Sequence, residues 1–455
     1  MRNNRRALAV AKYSAILLAA QAAVLAASNL AFAVGPTGVD DPVTFTKDIA
    51  RILQVKCQDC HQPDSIGPMP LMTYDEVRPY VAMIRKEVSD RRMPPWHIDK
   101  TRGIQHFKND RSLTDDELAT MLRWIDDGAP MGDPADMPPP REFADPTQWQ
   151  MRDQFGEPDL ILRSTPYTVA ELGQDKWWRP VVETGITEPR WVRAIEIKPS
   201  YPGGRQAVHH VMGYLIQEET EYEGLPRNLP RRQRRAGTFM EYAIGKVGEV
   251  FTEDTGKLLL PGSAIQFEVH YYAYGDPVTD DVVEMGIWFY PREHRPKYRT
   301  VMRMIGEGSS EGRLEIPPGT ISMIQHEMVL PVPARLLNFQ PHMHMRGKAQ
   351  SLEAIYPDGR RELLAHADNF QWNWQVNYIF EDEFAPLLPA GTTLMVTSWH
   401  DNTVDNPHNP DPENWVGYGD RTVDEMAHVW LNLTFMEQED FDQEVARREA
   451  AAAGE

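Results

Sequence analysis

From about residue 159 to residue 435 the hydrophobic pattern repeats every two residues, and this pattern limits the possible fold more than any other feature of the 455-residue chain. Few helix-like segments interrupt it, so we predict two all-β sandwich domains over 159–312 and 313–437. A charged, alanine-rich tail over 438–455 follows them. The strands are predicted at 195–197, 207–216, 264–273, 285–290, 350–356, 394–399 and 429–435.

The segment 42–132 carries a helical pattern instead. Phe45, Ile49 and Leu53 recur at helical spacing, and Thr114 with Glu117 three residues later is typical of a helix start. We therefore predict a small all-α domain before the sandwiches. The segment 133–158 is rich in proline and is predicted to be a stiff linker.

The first 33 residues are typical of a secretory signal peptide, with a basic start, an apolar stretch and Ala31-Phe32-Ala33 as a cleavage site. An uncleaved membrane anchor is the alternative. Cleavage removes four basic residues, so the net charge of −20 becomes −24. We expect a periplasmic protein of a Gram-negative bacterium with no stable membrane span after cleavage. The acidic balance argues against nucleic acid as a partner.

The chain has only two cysteines, and both lie in Cys57-Gln58-Asp59-Cys60-His61. This C-x-x-C-H pattern is typical of covalent haem attachment, with His61 as the first axial ligand of the iron. A redox or zinc motif is the alternative. For the sixth ligand we favour Met93, beside two prolines, over Met69, Met72 and Met83, with His97 as its rival. The segment resembles a small monohaem cytochrome c.

Histidines cluster in the β region. His342 and His344 form H-x-H, and alternate strand residues face the same side, so the two can bind one metal ion. The adjacent His209 and His210 can share a metal only at a strand end or a bulge. His270 lies in a further predicted strand. Imidazole suits copper and zinc alike, and a thioether ligand such as Met426 would favour copper.

With these residues in order, the stretch from about 156 to 435 resembles the copper type II, ascorbate-dependent monooxygenases, the family of peptidylglycine α-hydroxylating monooxygenase and dopamine β-monooxygenase. The resemblance implies two jelly-roll-like sandwiches with one copper each. It implies that His209, His210 and His270 hold the first copper, which stores and supplies an electron. It also implies that His342, His344 and Met426 hold the second, catalytic copper, where O₂ reacts.

Two positions depart from the family's peptide-binding pattern: Gln340 stands two residues before H-x-H, and His428 stands two residues after Met426. A peptide C-terminus is therefore not the expected substrate. The resemblance implies hydroxylation of a C–H bond in a small organic molecule with O₂. The haem suggests that electrons arrive through it, from a periplasmic donor as a further partner.

Two other functions stay open on the sequence. One is a copper and haem electron-transfer or copper-binding protein without oxygenase activity; the other is a docking scaffold with relic sites. The basic run over 231–235 is read as a solvated loop or as a contact with the donor or a membrane surface. Trp177, Trp178, Trp372 and Trp374 are read as core or cleft lining.

Overall fold

A computed structural model describes residues 42–65, 67–218, 224–230, 237–243, 246–306 and 314–454, so the predicted signal peptide and the basic run over 231–235 lie outside the described residues. Strands dominate, and the helices are few and short, as the sandwich prediction requires. A π-helix spans Phe45–Ile49, and 3₁₀-helices span Arg78–Tyr80 and Pro134–Asp136. The α-helices are α1 (Ala50–Lys56), α2 (Tyr74–Val77), α3 (Val81–Ser89), α4 (Asp115–Asp126), α5 (Arg152–Phe155), α6 (Gly203–Ala207) and α7 (Gln438–Ala453).

The strands before residue 307 are β1 (Leu160–Arg163), β2 (Tyr167–Val169), β3 (Lys176–Trp178), β4 (Val181–Glu183), β5 (Arg190–Lys198), β6 (Val208–Ile216), β7 (Thr238–Ala243), β8 (Gly248–Val250), β9 (Thr255–Leu259), β10 (Ala264–Tyr271), β11 (Val278–Asp281), β12 (Glu284–Phe289) and β13 (Tyr298–Gly306). Those after it are β14 (Glu315–Ile316), β15 (Ile321–Val329), β16 (Ala334–Leu336), β17 (Asn338–His342), β18 (Gly347–Ile355), β19 (Arg361–Ala367), β20 (Tyr378–Ile379), β21 (Leu387–Leu388), β22 (Thr393–Asp401), β23 (Val416–Gly417) and β24 (His428–Phe435). Each of the seven predicted strand segments overlaps one of these strands.

The predicted helix start at Thr114 is confirmed. The Thr114 side chain accepts a hydrogen bond from the backbone of Glu117, whose carboxylate accepts one from the backbone of Thr114. Along α4, Met121 and Trp124 are buried. The helix ends at Asp126, and Gly128 follows with a φ of +87°, a conformation that suits glycine.

The helices before residue 132 do not form a distinct all-α domain in the described part of the chain, which corrects that part of the fold prediction. Trp96, Ile98 and Phe107 belong to the buried core of the C-terminal sandwich. Ile98 bridges to Ala367 and Phe107 bridges to Phe380. The physical reason is that the long loop joining α3 and α4, although mostly polar, carries a few large apolar side chains that are buried against the neighbouring sheet.

Two sheets enclose the core of the N-terminal sandwich. One contains β3, β10, β6 and β7 in that order, with β4 also paired to β10. The opposite layer contains β1, β12, β5 and β9, with β8 paired to β5. Leucine, isoleucine, valine and aromatic side chains from both layers fill the space between them.

In the C-terminal sandwich, β15, β22, β18 and β19 form one sheet, and β24 with β16 and β17 lies in the other. That second sheet is continuous with the N-terminal sandwich. β13 pairs antiparallel with β24 from Thr300↔Thr434 to Gly306↔His428 and parallel with β9 at Tyr298↔Thr255. A hydrogen-bonded sheet therefore connects the two sandwiches across the boundary predicted at 312 and 313.

Buried charges strengthen the same junction. The Glu249 carboxylate accepts hydrogen bonds from Lys246 at 2.7 Å and from Lys257 at 3.1 Å. It also accepts one from the Asn432 side chain of the other sandwich at 3.1 Å. Because each buried charge has a partner, the network avoids the large cost of an unpaired ion.

No helix in the described residues is both long enough and apolar enough to cross a bilayer.

Candidate dimetal cavity and haem crevice

A β-bulge brings the first histidine group together. On the antiparallel pair β6 and β10, His210 lies opposite His270 and Val208 lies opposite Tyr271, so His209 is an extra residue on β6. Without this bulge the adjacent rings of His209 and His210 would point to opposite faces of the sheet. A metal ion shared by His209 and His210 requires a strand end or a bulge, and the structure has the bulge.

The three rings converge through their Nδ1 atoms. His210 Nδ1 lies 3.4 Å from His209 Nδ1 and 3.3 Å from His270 Nδ1, and one nitrogen of each ring lies within 4.8 Å of the others. Burial lowers the pKa of His209 to about 4 and that of His210 well below its ordinary value. Imidazole rings that turn lone pairs toward one point are suited to hold a metal ion.

The Nε2 atoms of His270 and His209, which point away from the shared centre, lie near oxygen atoms. Asp175 Oδ2 lies 3.1 Å from His270 Nε2, and His270 lowers the pKa of that carboxyl. The backbone oxygen of Asn373 lies 3.3 Å from His209 Nε2. An oxygen at Nε2 keeps the proton on that atom, which leaves Nδ1 free for a metal. Sequence reasoning missed Asp175, because no motif around it connects it with the histidines.

The second group lies at the end of β17. His342 is the last residue of that strand, and His344 follows two residues later with its ring 5.4 Å from that of His342. Met343 lies between them, and its side chain is fully buried. Because alternate residues of an extended chain point to the same side, the rings of His342 and His344 point away from the side chain of Met343. His344 Nδ1 lies 3.2 Å from the backbone oxygen of Asp424, which leaves Nε2 available. Burial lowers the pKa of both histidines.

Glu425 fixes the loop that carries H-x-H. Its two carboxylate oxygens accept hydrogen bonds from the backbone of His344 at 2.9 Å and of Arg346 at 2.6 Å. Burial raises the pKa of Glu425 to about 7. The sequence singled out the D-E-M segment for Met426 alone. The structure adds its glutamate as the residue that positions the histidine loop.

The two departures noted at 340 and 428 lie in different places. Gln340 is buried and donates a hydrogen bond to Glu241, and it does not line the cavity. His428 does line it, stacked on His342 with ring centroids 4.5 Å apart. Among the described residues, neither ring nitrogen of His428 has a hydrogen-bond partner. Burial lowers the pKa of His428 to about 3, so its ring is neutral.

One cavity of about 920 Å³ is shared by all six predicted metal ligands: His209, His210, His270, His342, His344 and Met426. His210 and His344 line the same cavity, and a positive charge on His344 would further lower the pKa of His210. Much of the remaining lining is aromatic or thioether-bearing, and it includes Trp177, Met212, Tyr214, Met302, Trp372, Trp374 and Trp430. Such a wall suits a small, largely apolar molecule.

The C-x-x-C-H motif follows α1 as a turn, in which the backbone of His61 donates to the Cys57 carbonyl at 3.0 Å. His61 Nδ1 lies 3.0 Å from the backbone oxygen of Met69, which leaves Nε2 as the free ligand atom. A Cβ at Gly67 would lie 2.6 Å from the Cys60 carbonyl oxygen, so only glycine lets this loop approach the motif so closely.

A smaller, mainly apolar cavity of about 200 Å³ opens beside the motif, and we call it the haem crevice. Cys57, Cys60, His61 and the favoured Met93 all line it, together with Met69 and Met83. Met72 and His97 are not among its lining residues. His97 is buried elsewhere, with its backbone N–H donating to the Tyr378 hydroxyl at 3.1 Å.

The thiols of the motif do not suit redox catalysis. Burial raises the pKa of Cys57 to about 12 and also raises that of Cys60, whereas reactive thiols have a lowered pKa. Neither cysteine is in a disulfide. Two sulfurs beside a free imidazole nitrogen and an apolar crevice are the groups that a covalently attached haem would need.

No protein-family model and no curated protein matches the chain. Solved structures match it only weakly. A structure of infectious bursal disease virus, Gt strain, has a TM-score of 0.17 at 12% identity and covers 62% of this chain and 72% of its own. A xanthan lyase of Paenibacillus has a TM-score of 0.18 at 12% identity and covers 60% of this chain and 26% of its own. Scores this low carry no argument about fold or function.

Proposed function

We propose that this protein is a dicopper, O₂-dependent monooxygenase that hydroxylates a C–H bond of a small organic molecule, with electrons supplied through a fused c-type haem. We also propose that the chain is related to the ascorbate-dependent copper monooxygenases that it resembles, and that its two sandwiches have the jelly-roll form. The segment around C-x-x-C-H is proposed to be cytochrome c-like, and the protein is proposed to be periplasmic. The observation that carries it is the single cavity that both candidate ligand groups line. An electron-transfer protein has no need of such a cavity between its metals, whereas an oxygenase needs room there for its substrate.

The ligand set fits copper. Three imidazoles suit the first ion, and two imidazoles with the Met426 thioether suit the second, since a thioether favours Cu(I). When bound, copper supplies one-electron redox chemistry and O₂ activation, and haem c supplies electrons. Asp175 and the Asn373 carbonyl orient the first histidine group, and Glu425 orients the second.

The protein's own residues prepare the cavity for a reaction in a confined space. Trp177 stacks on His270 with ring centroids 4.4 Å apart, which shields that ring from water on one face. Trp430 lies 4.8 Å from the His342 ring, measured between centroids. Because Gln340 is bound to Glu241 in the interior, we do not propose a peptide carboxylate as the substrate.

The test is oxygen labelling. Protein loaded with copper and haem is supplied with reductant, ¹⁸O₂ and a panel of small aromatic and amine compounds, and the products are analysed by mass spectrometry. We expect one ¹⁸O atom in a hydroxylated product, with His344→Ala abolishing the incorporation. Failure to label any compound, with both copper ions bound and the haem reducible, would instead favour an electron-transfer or copper-binding protein.

A further inference from the structure

The haem crevice and the dimetal cavity share one wall residue. Trp374 lines both cavities, whereas the neighbouring Trp372 lines only the dimetal cavity. Trp374 is half-buried and packs against the core of the C-terminal sandwich. Trp374 is therefore the one described residue that borders both the space beside Cys57, Cys60 and His61 and the space beside the six candidate copper ligands.

The segment around this tryptophan also touches both histidine groups. The backbone oxygen of Asn373, the preceding residue, lies 3.3 Å from His209 Nε2. The side chain of Gln375, the following residue, donates to the carbonyl of Met343 at 3.4 Å and to that of Trp372 at 2.8 Å. Met343 is the middle residue of H-x-H.

The segment is also held in place. The backbone of Trp374 donates to the carbonyl of Gln371 at 2.9 Å, which closes a turn. A turn anchored at both histidine groups keeps the indole at a constant position between the two cavities. A polarisable ring that lines both cavities suits short-range electron transfer between them.

We propose that Trp374 and the Asn373 peptide connect the haem crevice to the first copper site, and that this connection carries the electron from haem to copper. The inference rests on the proposed function and adds the route that the electron takes from haem to copper. In the transfer, one electron leaves ferrous haem and enters a cupric ion, so iron passes from Fe(II) to Fe(III) and copper from Cu(II) to Cu(I). No bond forms or breaks, and an external one-electron donor restores the ferrous haem.

The test follows the haem rather than product formation. Anaerobic protein loaded with ferric haem and cupric copper receives a light pulse with a photoreductant that reduces the haem, and its reoxidation is followed by absorbance. Loss of the Cu(II) signal in electron paramagnetic resonance is measured in parallel. We expect Trp374→Leu to slow reoxidation by about tenfold, equivalent to about 1.4 kcal/mol in activation free energy. Trp415→Leu, a control at an exposed tryptophan that lines neither cavity, is expected to leave the rate as in the unaltered protein.

Haem content, copper content and haem midpoint potential are measured for every variant. An unchanged rate in a fully loaded Trp374→Leu protein would overturn the route. If that variant loses a cofactor, Trp374→Phe decides: slower reoxidation supports the proposal, and an unchanged rate overturns it. Absence of haem reoxidation in the unaltered, loaded protein would also overturn it. No substrate or O₂ is present, so a negative labelling experiment would count against the oxygenase function alone.

Discussion

Glu425 accepts a hydrogen bond from the backbone of His344 at 2.9 Å, although the two residues are 81 positions apart. The contact ties the segment that carries Met426 to the loop that carries the H-x-H histidines. Two candidate ligands of one ion, His344 and Met426, thus lie in distant segments of the chain that one carboxylate holds together. The position of the second site depends on this buried acid.

Replacing Glu425 with glutamine should therefore damage the second site selectively. The glutamine NH₂ group would face one of two backbone N–H donors, and a buried unsatisfied donor costs about 1–3 kcal/mol. We expect that loss in the free energy of unfolding, measured in urea, and a fall from two bound copper ions to one. Asp424→Asn is the control, because the Asp424 carboxylate pairs with the exposed Arg421. Full copper binding and unchanged stability in Glu425→Gln would refute the role given to this residue.

Asp175→Asn should weaken the first site. The carboxylate lies 3.1 Å from His270 Nε2, and loss of such an outer partner typically lowers metal affinity about 10–100-fold. Competition with a Cu(I) chelator measures this affinity. Asp420→Asn serves as the matched control, since Asp420 lines the same cavity but pairs with Arg179. Equal affinities in the two variants would show that Asp175 does not orient His270.

Met93→Leu should leave haem attached, since Cys57 and Cys60 provide the covalent bonds, but should lower its midpoint potential. A methionine ligand raises the potential of c-type haem, and leucine cannot bind iron. Spectroelectrochemical titration measures the shift. Met83→Leu is the control, because Met83 also lines the crevice. If Met83→Leu lowers the potential and Met93→Leu does not, the ligand has been assigned to the wrong methionine.

The copper-free protein should lose stability in mild acid. Burial lowers the pKa of His97 to about 4, whereas a histidine in the unfolded chain has a pKa of about 6.5. Between these values the unfolded chain binds the extra proton, so this histidine's contribution is complete above about pH 6.5 and declines toward pH 4, by about 1.4 kcal/mol per pH unit.

Urea unfolding across that range measures the slope in the copper-free protein. His97→Gln should reduce the slope by the contribution of one proton, and His408→Gln, which replaces an exposed histidine, should not. A slope that is the same in both variants would mean that His97 is not held neutral in the folded protein.

Some features of the fold could be predicted because they depend on interactions between residues that are close together along the chain. The two-residue period located seven of the strands, and the side-chain chemistry of Thr114 and Glu117 located the start of α4. For the adjacent His209 and His210 the sequence set only a condition, that a shared metal needs a strand end or a bulge, and the structure has the bulge.

Contacts between distant segments were not predictable in the same way. The loop with Trp96 and Phe107 reads as part of a helical segment, but its apolar side chains are buried in a sheet more than 200 residues further along. Asp175 and Trp374 carry no motif of their own, and only the fold brings them to the two cavities. Their importance depends on neighbours that a single sequence does not identify.

The most direct test of the central claim is the metal and haem content of the purified, full-length protein and two variants. We predict two copper ions and one covalently bound haem iron per chain. His270→Ala should retain the haem and the second copper only, and His344→Ala should retain the haem and the first copper only. A single zinc ion in place of the two copper ions, or a chain without covalently bound haem, would contradict the account.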